Sequence, residues 1–226
     1  MSILTQEQCK YVYDVVAAYF QENNIGQWED ITCDNDDICD PPEGYDVEYK
    51  SGATKIVLVC KDDDFVIKIP TYGECEDDWT SAWVGAYSVE LDARGYDVER
   101  NDYCQLEMAL YECAQEQGVD KFFVPTEYVG EVFGIPVYVQ PKITYLYSKG
   151  NHSNEDEFTY ASIANSDMID PSVGAELLMY YTIDEVRAFL EFVRSFGIND
   201  LDAVRNGWIA PEYGRYVFWD YAGFHN

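Results

Sequence analysis

Apolar positions recur at helical spacing over residues 5–24, TQEQCKYVYDVVAAYFQENN, where Val12, Val15, Val16, Tyr19 and Phe20 share one stripe. Thr5 precedes that run as its N-cap. Residues Gly26 through Gly44 are acidic, contain Pro41-Pro42, and read as an irregular connector. The pattern then switches from a period near 3.6 to a period of 2. VEYKSGATKIVLVCKDDDFVIKIP alternates and is rich in β-branched residues, which predicts strand, Gly52 turn, strand, KDDD turn, strand. Residues 71–100 read as loop, with Trp79, Trp83 and Tyr87 marking one short packed element. YCQLEMALYECAQEQ, residues 103–117, predicts a helix closed by Gly118. FFVPTEYVGEVFGIPVYVQPKI predicts two further strands around a turn at Gly134. After a polar GNHSNEDE loop, a short helix is expected at 172–180. TIDEVRAFLEFVRSFG opens on a capping box, Thr182 to Glu185, and stops at Gly197. GWIAPEYGRYVFWDY closes the series as a short hairpin around Pro211–Gly214.

Composition narrows the classes open to this chain. At 226 residues, 47% of them apolar, it can bury a sizeable core and is not a disordered sequence. No run of about eighteen apolar residues occurs, and the N-terminus MSILTQEQCKYVYDVV lacks the basic-then-apolar order of a signal peptide. Seven irregularly spaced cysteines read as reduced thiols of a cytoplasmic protein. Without a CxxC, and with His152 and His225 as the two histidines, zinc is not expected. Charge changes the picture most. Asp and Glu number 43 against 14 Lys and Arg, a formal net charge of −29. That field repels nucleic acid and anionic membrane and attracts basic partners. It is read either as a solubilising surface or as an acidic face that occupies another protein's nucleic-acid groove.

Candidate chemistry lies in four short stretches. FVIKIP puts Lys68, preceded by Val66 and Ile67, in mid-strand, and Glu107 and Glu112 lie on the following helix. NDLDAVRN contains Asp200 and Asn206, and WDYAG contains Asp220. With three strands, a helix and two strands in that order, the chain resembles the protein-kinase-like fold, in the small divergent form of phage and bacterial kinase-like proteins. The resemblance spans roughly residues 45–224. It implies an α+β fold, with a five-stranded antiparallel small lobe, one packed helix and a reduced helical second lobe. Residues 1–44 then form an N-terminal helix and acidic connector, 45–142 the small lobe, and 143–226 the reduced lobe.

The same resemblance assigns roles. VIK matches the third-strand V-A-I-K lysine, so Lys68 would hold nucleotide phosphates. A snorkelling edge-strand lysine is the bland alternative. Glu107 would lock Lys68 by an ion pair, its spacing to Gly118 resembling small-molecule kinases of this fold, with Glu112 the other candidate. SGATK takes the place of the glycine-rich loop, where amides around Gly52 and the Thr54 hydroxyl would cap a phosphate; a plain hairpin turn explains it equally. Val139-Gln140-Pro141-Lys142 sits where the segment after the fifth strand would meet adenine. NDLDAVRN resembles H-R-D-L-x-x-x-N, making Asp200 the catalytic base and Asn206 a metal ligand, and WDYAG resembles D-F-G, making Asp220 the ligand of Mg²⁺. Three departures bear on catalysis more than on fold. Ile198 replaces the histidine, the Asp200–Asn206 spacing is one residue longer, and the loop carries one glycine. Two functions follow as expectations: a phosphotransferase that uses ATP and Mg²⁺ on an unidentified hydroxyl, or a non-catalytic kinase-like acidic scaffold. The scaffold would be phage-encoded and would inhibit a basic host defence protein, a CRISPR nuclease among the possibilities.

Overall fold

The computed structural model describes residues 3–32, 40–51, 54–72, 102–143, 171–196, 208–210 and 215–218. The chain divides into two compact units, Met1–Met108 with Pro125–Lys142, and Ala109–Val124 with Ile143–Asn226.

The first unit is a sheet with a helical cover. Helix α1 spans Gln6–Glu22 and starts at a capping box, in which Thr5 Oγ1 accepts from the Gln8 amide at 3.2 Å and Gln8 Oε1 accepts from the Thr5 amide at 3.0 Å. Strands β1 (Val47–Ser51), β2 (Lys55–Cys60), β3 (Phe65–Pro70), β4 (Glu127–Val132) and β5 (Ile135–Pro141) form a five-stranded sheet in the order β1-β2-β3-β5-β4. Every neighbouring pair is antiparallel. Phe133 and Gly134, with φ of 55° and 78°, join β4 to β5 as a two-residue loop with both φ values positive, the geometry that matches strand twist.

Alternation along the strands sorts side chains to two faces. One face carries Ile56, Leu58, Phe65, Ile67, Ile69, Ile135, Val137 and Val139, and packs with the Val12, Val15, Val16, Tyr19 and Phe20 stripe of α1 into one core. Each such side chain contributes about 1.5–3 kcal/mol on burial, so α1 is bound to the sheet by far more than its own helix propensity. The N-terminal helix therefore shares its core with the sheet. Tyr13 adds a close fit: its hydroxyl donates to Val129 O at 3.2 Å beside Gly130, where β4 bulges and a Cβ would stand 1.9 Å from that oxygen.

Part of the acidic connector is ordered, contrary to its irregular reading. Trp28–Asp30 form a 3₁₀ turn, and the buried Trp28 donates from Nε1 to Pro70 O at 2.9 Å. An indole needs one acceptor when buried, and the end of β3 supplies it.

Helix α2 spans Tyr103–Gln117, and Gly118, at φ 70°, follows it. In the second unit, α3 covers Pro171–Leu178 and α4 covers Ile183–Ser195, the latter with the expected Thr182–Glu185 capping box. Strands β6 (Trp208–Ala210) and β7 (Arg215–Val217) pair as a hairpin. Aromatic rings build this unit's core: Phe122 stacks on Phe189 at 4.5 Å, and Phe189 on Phe218 at 5.2 Å. Backbone bonds Val124 N to Phe218 O and Phe218 N to Phe122 O, both 2.8 Å, tie the segment after β7 to the 3₁₀ turn at Asp120–Phe122.

Candidate functional site: a lysine pair on one buried glutamate

The face of the sheet opposite the α1 core is where charge is buried. Lys68 sits on β3, the middle strand, directly across from Tyr138 on β5 and Val57 on β2. It is 1% exposed, so the edge-strand, snorkelling alternative is excluded: β3 has a neighbour on both sides. Lys55 pairs with Pro70, two residues beyond Lys68, which puts the two lysines on the same face as diagonal neighbours. Both reach Glu107 of α2. Lys55 Nζ donates to Oε1, and Lys68 Nζ donates to Oε2 at 2.7 Å. Thr126 Oγ1 donates to Oε2 at 2.9 Å and itself accepts from Gln140 Nε2 at 3.2 Å. Glu107 is fully buried, whereas Glu112 is exposed, so of the two candidate glutamates Glu107 is the one that meets Lys68.

A single carboxylate thus receives three donors, two from strands β2 and β3 and one from the residue that precedes β4. Ions taken out of water cost several kcal/mol each, and only good geometry with hydrogen bonds on the remaining lone pairs offsets this. The arrangement around Glu107 meets that condition.

A second carboxylate fixes the same helix. Asp102 lies at the N-cap of α2, where Oδ1 accepts from the amides of Cys104 at 2.9 Å and Gln105 at 3.0 Å. Its Oδ2 accepts from the Tyr138 hydroxyl. Burial pushes the Asp102 carboxyl up to about 6, against the lowering by these hydrogen bonds, with Glu107 adding a smaller upward push. The Tyr138 hydroxyl is raised as well, by burial first and then by Asp102. The Cys104 thiol is held well above its ordinary value by burial, which leaves it protonated and inert. Adjacent, directly paired residues of β3 and β5, Lys68 and Tyr138, therefore grip α2 at Glu107 and at its cap.

The other residues singled out from sequence divide into placed and unplaced. Gln140 lies inside β5 rather than after it, paired with Val66, because the ladder to β3 runs on to Phe65–Pro141. Its side chain is 2% exposed and points into the Glu107 network. Lys142 spends its ammonium on the carbonyls of Cys60 at 2.8 Å and Lys61 at 2.9 Å, closing the KDDD turn. Thr54 is half-buried next to β2, and its carbonyl accepts from Thr71 N at 3.1 Å. Gly52, Asp200, Asn206 and Asp220 lie outside the described residues, as do Trp79, Trp83, Tyr87 and the Pro211–Gly214 turn. Phe218, two residues before Asp220, is buried and anchored in the second unit's core.

Sequence reading missed Lys55, Thr126, Asp102 and Tyr138. A signal for Lys55 existed: it stands at an apolar-facing end of a strand and, given the KDDD turn, falls on the face of Lys68. Among the described residues no group of three or more His, Cys, Asp or Glu could hold a metal ion. No helix among them is long and apolar enough to cross a membrane. No family model, curated protein or solved structure matches the chain.

Proposed function

We propose that this chain binds the phosphates of ATP in the manner of a kinase-like protein and transfers the terminal phosphoryl group to a hydroxyl acceptor. The observation that carries the reading is the buried pair of Lys68, on the middle strand, with Glu107, on helix α2. An ammonium fixed by a carboxylate in low dielectric is a preorganised point charge for phosphate. Among the described residues, three strands, a helix and two strands follow one another in that order, which supports the same reading. In this proposal Lys68 neutralises phosphate charge, Glu107 positions it, and Gly52 and Thr54 cap a phosphate from the β1–β2 turn. Asn206 and Asp220 would hold Mg²⁺, which supplies charge neutralisation when bound. Asp200 orients the acceptor hydroxyl.

Thermal melts with and without Mg-ATP test it. A ligand at a hundred times its Kd adds about 2.7 kcal/mol, or about 5–10 °C in Tm for a chain of this size. Asp220→Asn should abolish that rise and Lys68→Met should weaken it. Asp200→Asn should keep the rise and remove phosphoryl transfer. An unresponsive wild type ends the nucleotide reading. The net charge of −29 favours a second reading, an acidic kinase-like scaffold for a basic partner. That reading expects no response to Mg-ATP, and an Asp220→Asn variant as stable as the wild type or more so.

A further inference from the structure

Lys55 has no part in the roles set out above, yet its placement parallels that of Lys68. It opens β2 directly after the turn that contains Thr54, it is 5% exposed, and it shares the sheet face of Lys68. Each lysine takes a different oxygen of the one Glu107 carboxylate.

We infer that Lys55 is a second phosphate-binding lysine, which makes the site one for a nucleoside di- or triphosphate rather than a monophosphate. The inference rests on the nucleotide reading of Lys68 and deepens it. A carboxylate with one ammonium on each oxygen holds both cations side by side, and a polyphosphate offers charged oxygens on successive phosphorus atoms. Lys55 lies toward the β1–β2 turn and Lys68 toward mid-sheet, so the pair forms a short row of charge from the turn inward. A monophosphate can engage one end of that row. Two or three linked phosphates engage its length. Buried surroundings strengthen each contact, because the local dielectric is below that of water.

Lys55 could instead serve only to neutralise Glu107, and the two roles separate on the ligand's phosphate count. The Kd values of wild type, Lys55→Gln and Lys55→Met for Mg-ATP, Mg-ADP and AMP are measured by calorimetry, with far-UV circular dichroism as the folding control. The expected result is a loss of about tenfold or more for Mg-ATP and Mg-ADP, the size of one charge-assisted contact, with a much smaller loss for AMP. Equal losses for all three nucleotides, or no loss, overturn the role of Lys55 while leaving Lys68 as the phosphate lysine. A wild type that binds none of the three overturns both. Should neither variant fold, ¹⁵N-lysine spectra of the wild type decide. Mg-ATP must then shift the Nζ resonances of both Lys55 and Lys68, and a shift at Lys68 alone overturns the inference.

Discussion

Glu107 sits between two cations, and removing it differs in kind from removing either of them. Lys55→Met or Lys68→Met leaves the carboxylate with one ammonium and the Thr126 hydroxyl. Glu107→Gln removes the one carboxylate that both buried ammonium groups share, and breaking a buried ion pair costs about 3–5 kcal/mol. Denaturant titration should show that loss for Glu107→Gln and a clearly smaller one for each lysine variant. Equal costs for the three would mean that the lysines do not depend on Glu107 for their burial.

Helix α2 is the element on which the site depends, and its cap titrates near neutrality. The ordinary aspartate value is 3.8, and burial raises the Asp102 carboxyl to about 6. The folded chain therefore binds the proton more tightly than the unfolded one. This contribution to stability is fully present below 3.8 and is lost as pH rises through about 6. Asparagine caps helices as well as aspartate and cannot ionise. Asp102→Asn should retain α2 and flatten the pH dependence of stability between pH 4 and 6, read from urea midpoints across that window. A variant with the wild-type slope would place the titration elsewhere. In the second unit Glu185 runs the opposite way: the hydrogen bond from Lys121 holds its carboxyl down at about 2, so its contribution is present above 4.5 and lost in acid. The two elements thus respond to pH with opposite sign.

On the scale of the whole molecule, 43 acidic residues against 14 basic ones set a repulsive field that folding must overcome. Screening shortens that field from about 30 Å at 0.01 M salt to about 8 Å at 0.15 M. The Tm should therefore rise as NaCl is added over that range, most steeply at the low end. A Tm independent of salt would mean that the acidic residues lie far enough apart for their mutual repulsion to be small already at low salt. The buried lysines are insulated from this screening, which separates the surface field from the site.

Local chemistry determined most of the elements. Thr5 and Thr182 with their capping partners, the α1 stripe and Gly118 carry their signals within a few residues, so helix starts, one helix end and the buried face of α1 were legible from the chain alone. The strands of the sheet were legible for the same reason, since alternation and the Gly134 turn are local. Tertiary structure decided what no local pattern contains. Lys68 became an interior residue because β5, from seventy residues later, pairs with β3 and removes its edge. Lys55 joined it on Glu107 through the register of β2 against β3, and a one-residue slip would have turned it to the other face. Asp102 became a titrating cap because burial raises its carboxyl, against the opposing hydrogen bond from Tyr138 of β5. Side-chain type and spacing set which groups can carry charge. Long-range pairing decides which of them are buried together, because burial depends on contacts between segments far apart in sequence.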